Sequence, residues 1–286
     1  VNKRVRISSV FIAVFFVGGL ALVLYPFISN ELNNYLDNQL ITFYQQQANQ
    51  QNAKELAEAK QKWQAKNEQL LKEANSQKIG SDPFSEKESE KKVNEKSYLE
   101  KHTIAFIDIP KINVSLPIFN GTNDLLLEKG AGLLEGTSYP IGGAGTHSVI
   151  TGHRGLISAK LFTDLPNLKK EDTFVIMIAK EKHAYKIDQI RVVEPDDTEL
   201  LRVVDGKDYV TLLTCTPFMV NSHRLLVRGH RVPYTEKIEN DLKKSTKNQI
   251  RSGYILLSVL ILIILIIYLF IRKKRKSQKK NEEFST

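Results

Sequence analysis

The 286-residue sequence predicts a mainly β protein: one closed or nearly closed barrel with short helices, a helical N-terminal extension, and two flanking apolar runs of membrane-spanning length. Three observations carry this. From His102 to about Pro233, short β-rich runs alternate with turn residues: TIAFIDI, VSLPIFN, HSVITG, TFVIMI, HAYKIDQIRVV, YVTLLTC and RLLVRGHRV. In that same stretch only NDLLLEKGAG and ISAKLFTDLPNLKK have a helical texture. Residues 7–28 and 254–271 are uncharged over 22 and 18 positions, enough at about 1.5 Å per residue to cross a bilayer as helix.

Taken in order, residues 1–28 read as a cytoplasmic N-terminus and membrane anchor. A cleaved signal peptide is the competing reading, weakened by the long apolar core and by YPFISNEL, which offers no small-x-small cleavage site. Residues 29–77 are rich in Gln, Asn, Ala, Lys and Glu without Gly or Pro after Pro26, and predict a helical extension. Its apolar stripe, Leu56, Ala59, Trp63 and Leu70, is suited to packing on the body; sustained coiled-coil heptads are lacking. Residues 78–97 break the helix with Gly80, Pro83 and mixed charge, a loop in which the aromatic of the tripeptide Asp82-Pro83-Phe84 has no local apolar neighbour. Residues 98–233 hold the barrel, whose sheet order the sequence does not reveal; 234–253 form a polar stalk, 254–271 the second span, and 272–286 a basic tail.

Charge supports this layout. Lys3, Arg4 and Arg6 precede the first span and RKKRKSQKK follows the second, so the positive-inside rule puts both ends in the cytoplasm and the segment between them outside. Of the net +9, the first six residues hold +3 and residues 272–286 hold +5, which leaves the central portion almost neutral. The basic pI therefore carries no signal for nucleic acid, and no nucleic-acid partner is expected; the basic tail reads as a topology signal, with contact to anionic lipid as a secondary role.

The chemistry narrows by elimination. The six histidines are not spaced as a zinc helix, and with a single cysteine and no HExxH no metal site is expected. GGAGTHS lacks the Lys of a phosphate loop, and no GxSxG elbow is present. Cys215 remains. Its neutral reading is a buried inert thiol, although an exported lone cysteine is exposed to oxidation. It ends one strand, and Arg224 begins the next after eight residues, so an antiparallel hairpin would set the two side by side. Arginine cannot serve as a base but can stabilise a thiolate or an oxyanion. His153, in the Gly-flanked turn TGHRG after HSVI, is the leading acid and base.

Taken together, TLLTCTP, HRLLVRGHR and THSVITGHRG, with IDIPKINVSLPI nearer the start, resemble the signature of sortases, cysteine transpeptidases of Gram-positive cell surfaces. The likeness runs from about Tyr98 to Val232, and EPDDTELL and KLFTDL are similar to the same family, particularly its class C, the pilin polymerases. That class also carries an N-terminal helical extension with a lid bearing Asp-Pro-aromatic, and often a C-terminal span; residues 82–84 and 254–271 correspond.

The resemblance implies a closed sortase-type β-barrel in which Cys215 is the nucleophile, His153 the general acid and base, and Arg224 the oxyanion or substrate-positioning group. It implies a lid in which Asp82 occupies Arg224 and Phe84 shields the thiol, with Pro83 between them. Thr214 and His147 are taken as substrate contacts. The implied partners are pilin subunits bearing an LPxTG-like signal, cut between Thr and Gly, and an acceptor lysine; no cofactor is needed. A housekeeping sortase, an exported cysteine hydrolase and a non-catalytic membrane-tethered binding module are the alternatives. A free thiol titrates at about 8.5 and imidazole at about 6.5, so the reactive ion pair is a minority form unless the surroundings shift it.

Overall fold

The computed structural model describes residues 53–84, 95–156, 159–178 and 181–248, with single helical positions within 18–29 and 251–272. Contacts gather the chain into two units, Val1–Ser245 and Thr246–Thr286, and the first holds the barrel and the candidate site. Among the described residues no helix is long and apolar enough to cross a membrane. The two apolar runs expected to do so lie almost entirely outside the described residues, as do residues 30–52 of the predicted helical extension and 85–94 of the predicted loop.

Eight strands close into a barrel: β1 Thr103–Ile109, β2 Val114–Phe119, β3 Ala131–Leu133, β4 Thr146–Thr151, β5 Thr173–Ile178, β6 Glu181–Val193, β7 Asp208–Thr216 and β8 His223–Val232. The order around the barrel is β1-β2-β3-β4-β7-β8-β6-β5, with β5 returning to β1. Among the described residues, closure leaves no edge strand to pair with another chain. Each strand contributes alternate residues to the interior, among them Ile107, Ile118, Ile150, Phe174, Tyr185, Leu212 and Val227, all fully buried.

The step that matters for the site is β4 to β7. These strands run parallel and adjacent although the β5–β6 hairpin separates them in sequence, so their neighbourhood comes from tertiary pairing alone. β7 then pairs antiparallel with β8 through a short turn.

Two segments with helical texture fold otherwise. In NDLLLEKGAG only α3, Asp124–Leu127, is helical. The Asn123 side chain caps it by accepting from Leu126 N at 3.0 Å, and Ala131 and Gly132 already belong to β3. A Cβ on Gly132 would lie 2.3 Å from the Gly121 carbonyl oxygen, so this close approach of strand to loop demands glycine. The described part of ISAKLFTDLPNLKK is a series of turns with one 3-10 turn at Leu165–Asn167. Pro166 opposes continuation of a helix, and the buried side chains Phe162 and Leu165 pin the segment to the barrel core.

Upstream, α1 is Ala53–Lys72 and α2 is Glu95–His102, the latter beginning inside the stretch expected to be loop. The contact face of α1 is Trp63, Asn67 and Leu70. Trp63 stacks on Tyr139 at 5.5 Å between centroids, while the Asn67 amide donates to Tyr139 O at 3.0 Å and accepts from Tyr139 N at 2.8 Å. After β8, residues 236–245 are helical, and Ile238 packs with Val175 and Ala184 on the outside of the barrel.

Candidate active site

Three neighbouring strand ends carry the predicted residues. Cys215 stands near the end of β7, directly opposite Arg224 near the start of β8. On the other side of β7, the β4 register pairs Thr151 with Leu213. Gly152 N donates to Leu213 O at 3.0 Å, and Thr214 Oγ1 donates to Gly152 O at 2.7 Å, so the pairing continues past the end of β4. Two residues beyond Thr151 is His153, in the loop that Thr214 holds to the end of β7. Sulfur and guanidinium thus face each other on paired strands, and the imidazole follows the end of the strand on the other side of β7.

Alternation decides which way they face. Val210 and Leu212 of β7, with Leu225 and Val227 of β8, point into the barrel. Leu213 and Leu226 belong instead to an apolar cluster with Leu134, Val149 and Leu201 on the opposite, outer face, and Cys215 and Arg224 share their parity. The site therefore lies on the outer side of the barrel wall, where Ile79 and Phe84 pack against that apolar cluster.

The segment that covers it is held at both ends. Gln77 Nε2 donates to Gly136 O at 2.8 Å and Gln77 Oε1 accepts from Val203 N at 3.0 Å, so one side chain bridges the two walls. Gly80 N donates to Glu135 O at 2.8 Å. At the far end the Asp82 carboxylate takes two parallel hydrogen bonds from Arg224, Nε to Oδ1 at 2.7 Å and Nη2 to Oδ2 at 2.5 Å. The two side chains are only 4% and 7% exposed. The remaining Arg224 nitrogen, Nη1, donates to the carbonyls of Asn221 and His223 at 2.8 and 2.9 Å, which fixes the fork in one orientation. Pro83 makes the turn, and the Phe84 ring lies 5.3 Å from the His153 ring and 5.4 Å from the Arg224 guanidinium. Those are the two groups expected to work with the thiol.

Electrostatics in this covered form keep the reactive groups neutral. Burial pushes the Cys215 thiol up to about 11; Arg224 pulls it down, Asp82 pushes it back up, and Arg154 pulls it down. Burial also holds His153 below the usual imidazole range, against the pull of Asp124 and Glu128. Near pH 7 the covered site therefore contains a thiol and a neutral imidazole. Removing the carboxylate and admitting water both favour the thiolate, the form able to attack a carbonyl.

The two residues taken as substrate contacts are placed differently. His147 is 1% exposed. Its Nδ1 is 2.8 Å from Arg202 O and its Nε2 2.8 Å from Thr211 Oγ1, so both ring nitrogens are satisfied inside the protein. It also lies at the start of β4, the end remote from His153. The expectation of a substrate contact there is corrected: His147 is a core histidine, and burial lowers its pKa to about 4. Thr214 is likewise fully buried, and its hydroxyl is used on Gly152 O, where it fixes the chain leading to His153 rather than meeting a ligand. Sequence reasoning missed Arg154, whose Nη1 donates to Thr216 Oγ1 at 3.2 Å. Its one signal was adjacency to His153. Among the described residues no group of three or more His, Cys, Asp or Glu side chains could hold a metal ion.

This barrel and its site have known relatives. The sortase-domain profile matches residues 107–232. The chain is 30% identical over 174 residues to sortase D of Bacillus subtilis (strain 168), spanning 58% of this chain and 85% of that one.

The chain belongs to the sortase family.

This sortase is a cysteine transpeptidase by family. It is also 30% identical over 132 residues to sortase A of Bacillus anthracis, covering 46% of this chain and 61% of that one. Its solved neighbours are class C sortases. Sortase C1 of Streptococcus agalactiae aligns with a TM-score of 0.60 at 41% identity, over 69% of this chain and 96% of the other. Sortase C-1 of Streptococcus pneumoniae aligns with a TM-score of 0.57 at 42% identity, over 69% of this chain and all (100%) of the other.

Proposed function

We propose that this class C sortase polymerises pilin subunits at the membrane surface, with Cys215 as nucleophile, His153 as general acid and base, and Arg224 as the group that steadies the developing oxyanion. The observation that carries this is the pairing of Cys215 with Arg224 under a segment whose carboxylate occupies that arginine. The apolar cluster on the same face as the sulfur suits an extended peptide once Ile79 and Phe84 leave it. Among related structures, one is described as sortase C1 of a group B streptococcal pilus island, and a Streptococcus pneumoniae sortase C is described as informing pilin substrate specificity. Both descriptions support a pilin as substrate.

The reaction balances without a cofactor. The Cys215 thiol gives its proton to His153, the sulfur attacks the Thr carbonyl of an LPxTG-like signal, the bond to Gly nitrogen breaks, and His153 passes that proton to the nitrogen. A thioester now holds the pilin. The amine of an acceptor lysine, giving its proton to His153, attacks the same carbon, and the carbon–sulfur bond breaks to leave an isopeptide and the free thiol. In the resting enzyme Asp82 competes for Arg224. Breaking such a buried pair without a replacement costs about 3–5 kcal/mol, so opening is favoured when substrate is present to repay it.

Membrane tethering belongs to the same reading. Apolar runs at 7–28 and 254–271 have basic residues on their outer flanks. The described helical positions within them expose large apolar side chains, Leu22 at 78% and Ile261 at 58%. This arrangement supports both termini inside the cell and the barrel outside.

Incubating the full-length chain with candidate pilins is the direct test. SDS-resistant ladders should form, and should vanish for Cys215→Ala and His153→Ala. Wall-linked monomers would instead indicate housekeeping anchoring, released peptide a hydrolase, and intact function in Cys215→Ala a binding module.

A further inference from the structure

The loop leaving β4 delivers two charged or chargeable side chains to the thiol end of the barrel, and His153 accounts for only one. Arg154 comes next. The β4–β7 ladder ends at Thr151 and Leu213, and past it the hydrogen bond from Arg154 Nη1 to Thr216 Oγ1, 3.2 Å long, ties Arg154 to the residue that follows Cys215. The guanidinium carbon also lies 5.6 Å from the centroid of the Phe218 ring. Hydroxyl and ring together clamp the guanidinium against the residues that follow the sulfur in sequence.

Neither contact cancels charge. Arg224 is matched by a carboxylate, whereas Arg154 rests on a hydroxyl and an aromatic face. Its Nε is buried without a hydrogen-bond partner. An ordinary surface arginine extends its head group into water and avoids that cost. Burying an unpaired N–H here makes sense if the cation has work at this position.

We propose that Arg154 is a second cation of the catalytic centre, anchored on Thr216 and Phe218 to support the Cys215 thiolate from the His153 side while Asp82 occupies Arg224. Arg154 is a positioning residue in this scheme: it acts through the sulfur and does not touch substrate. The other charges around the sulfur are Arg224 from β8, Asp82 from the lid and His153 from the same loop. Beyond them, Asp124 and Glu128 of the α3 turn act on His153, Asp196 acts on Arg224, and His223, opposite Thr216, is 3.2 Å from Glu194. Arg154 and Arg224 both favour ionisation of Cys215, against burial and Asp82. With Arg224 neutralised, Arg154 is the cation left to sustain a minority of thiolate.

The proposal rests on Cys215 as nucleophile, and its test reads the thiol itself, so that failure here is separate from failure of the ladder assay. The rate of Cys215 alkylation by iodoacetamide is measured against pH in the full-length chain, in the native-lid and Asp82→Ala backgrounds. Arg154→Gln should raise the pH midpoint by about one unit and slow alkylation near pH 7.5 by about tenfold in both backgrounds. Arg154→Lys should restore most of the rate. An unshifted midpoint in a folded Arg154→Gln protein overturns the proposal. Should that variant not fold, Thr216→Val, which keeps the cation and removes its anchor, decides: an upward shift supports the proposal and an unshifted midpoint overturns it.

Discussion

Two histidines six positions apart, His147 and His153, begin and follow the same strand and have opposite fates. His147 spends both ring nitrogens on the protein, whereas His153 has an aromatic lid residue over its ring. The difference is measurable in stability. The folded state holds His147 at about 4 while the unfolded chain returns to the ordinary 6.5. Between those values the unfolded chain binds a proton and the folded one does not. Stability is therefore full above pH 6.5 and falls with decreasing pH down to about 4, by roughly 1.4 kcal/mol per pH unit from this group. His153 and His183 are also held low by burial and act in the same direction. Urea midpoints of the native protein and His147→Gln, followed by circular dichroism from pH 7.5 to 5, isolate the contribution. The variant starts less stable and should show the flatter pH slope; equal slopes would refute the assignment.

Among the elements, the lid is where local and distant information meet. The sequence made Asp82-Pro83-Phe84 conspicuous because an aromatic sat in a polar loop, and the structure supplies its partners in Arg224 and His153. The hairpin of β7 and β8 was equally legible, since two apolar runs with a short turn admit one pairing, and Cys215 faces Arg224 as the spacing predicts. β3 was not. Its three residues are too short for a periodic signal and follow an apolar LLL that reads as helix. The β4–β7 adjacency was illegible for a different reason, as the β5–β6 hairpin intervenes and only tertiary packing sets parallel neighbours. On α1 the stripe omitted Asn67, because its contribution is a two-way hydrogen bond to Tyr139 rather than apolar area. That bond and the Gln77 bridge tie the helix and the lid to the barrel as one strap. Releasing the lid should therefore act on the thiol without unfolding the barrel. Asp82→Ala removes the group that pushes Cys215 up, leaves Arg224 to pull it down, and frees Phe84 to move. Asp82→Ala combined with Phe84→Ala should speed thiol alkylation near pH 7.5 by about tenfold or more. An unchanged rate in the folded double variant would remove the lid from the mechanism.

For the whole molecule, the distribution of charge argues for a tethered enzyme with its barrel outside the cell. Nearly all of the net +9 belongs to the two ends, beyond the apolar runs, while the portion between them is close to neutral. A chain that used positive charge to hold a polymer would carry it on the barrel; this one carries it beyond the apolar runs, where the proposed topology sets it against the inner leaflet. The consequence is a protection pattern. With a tag placed after Thr286, protease added to intact cells should cut the barrel and spare the tag, and permeabilised cells should lose both. Loss of the tag from intact cells would overturn the cytoplasmic C-terminus. A barrel spared in intact cells but cut after permeabilisation would overturn its external placement.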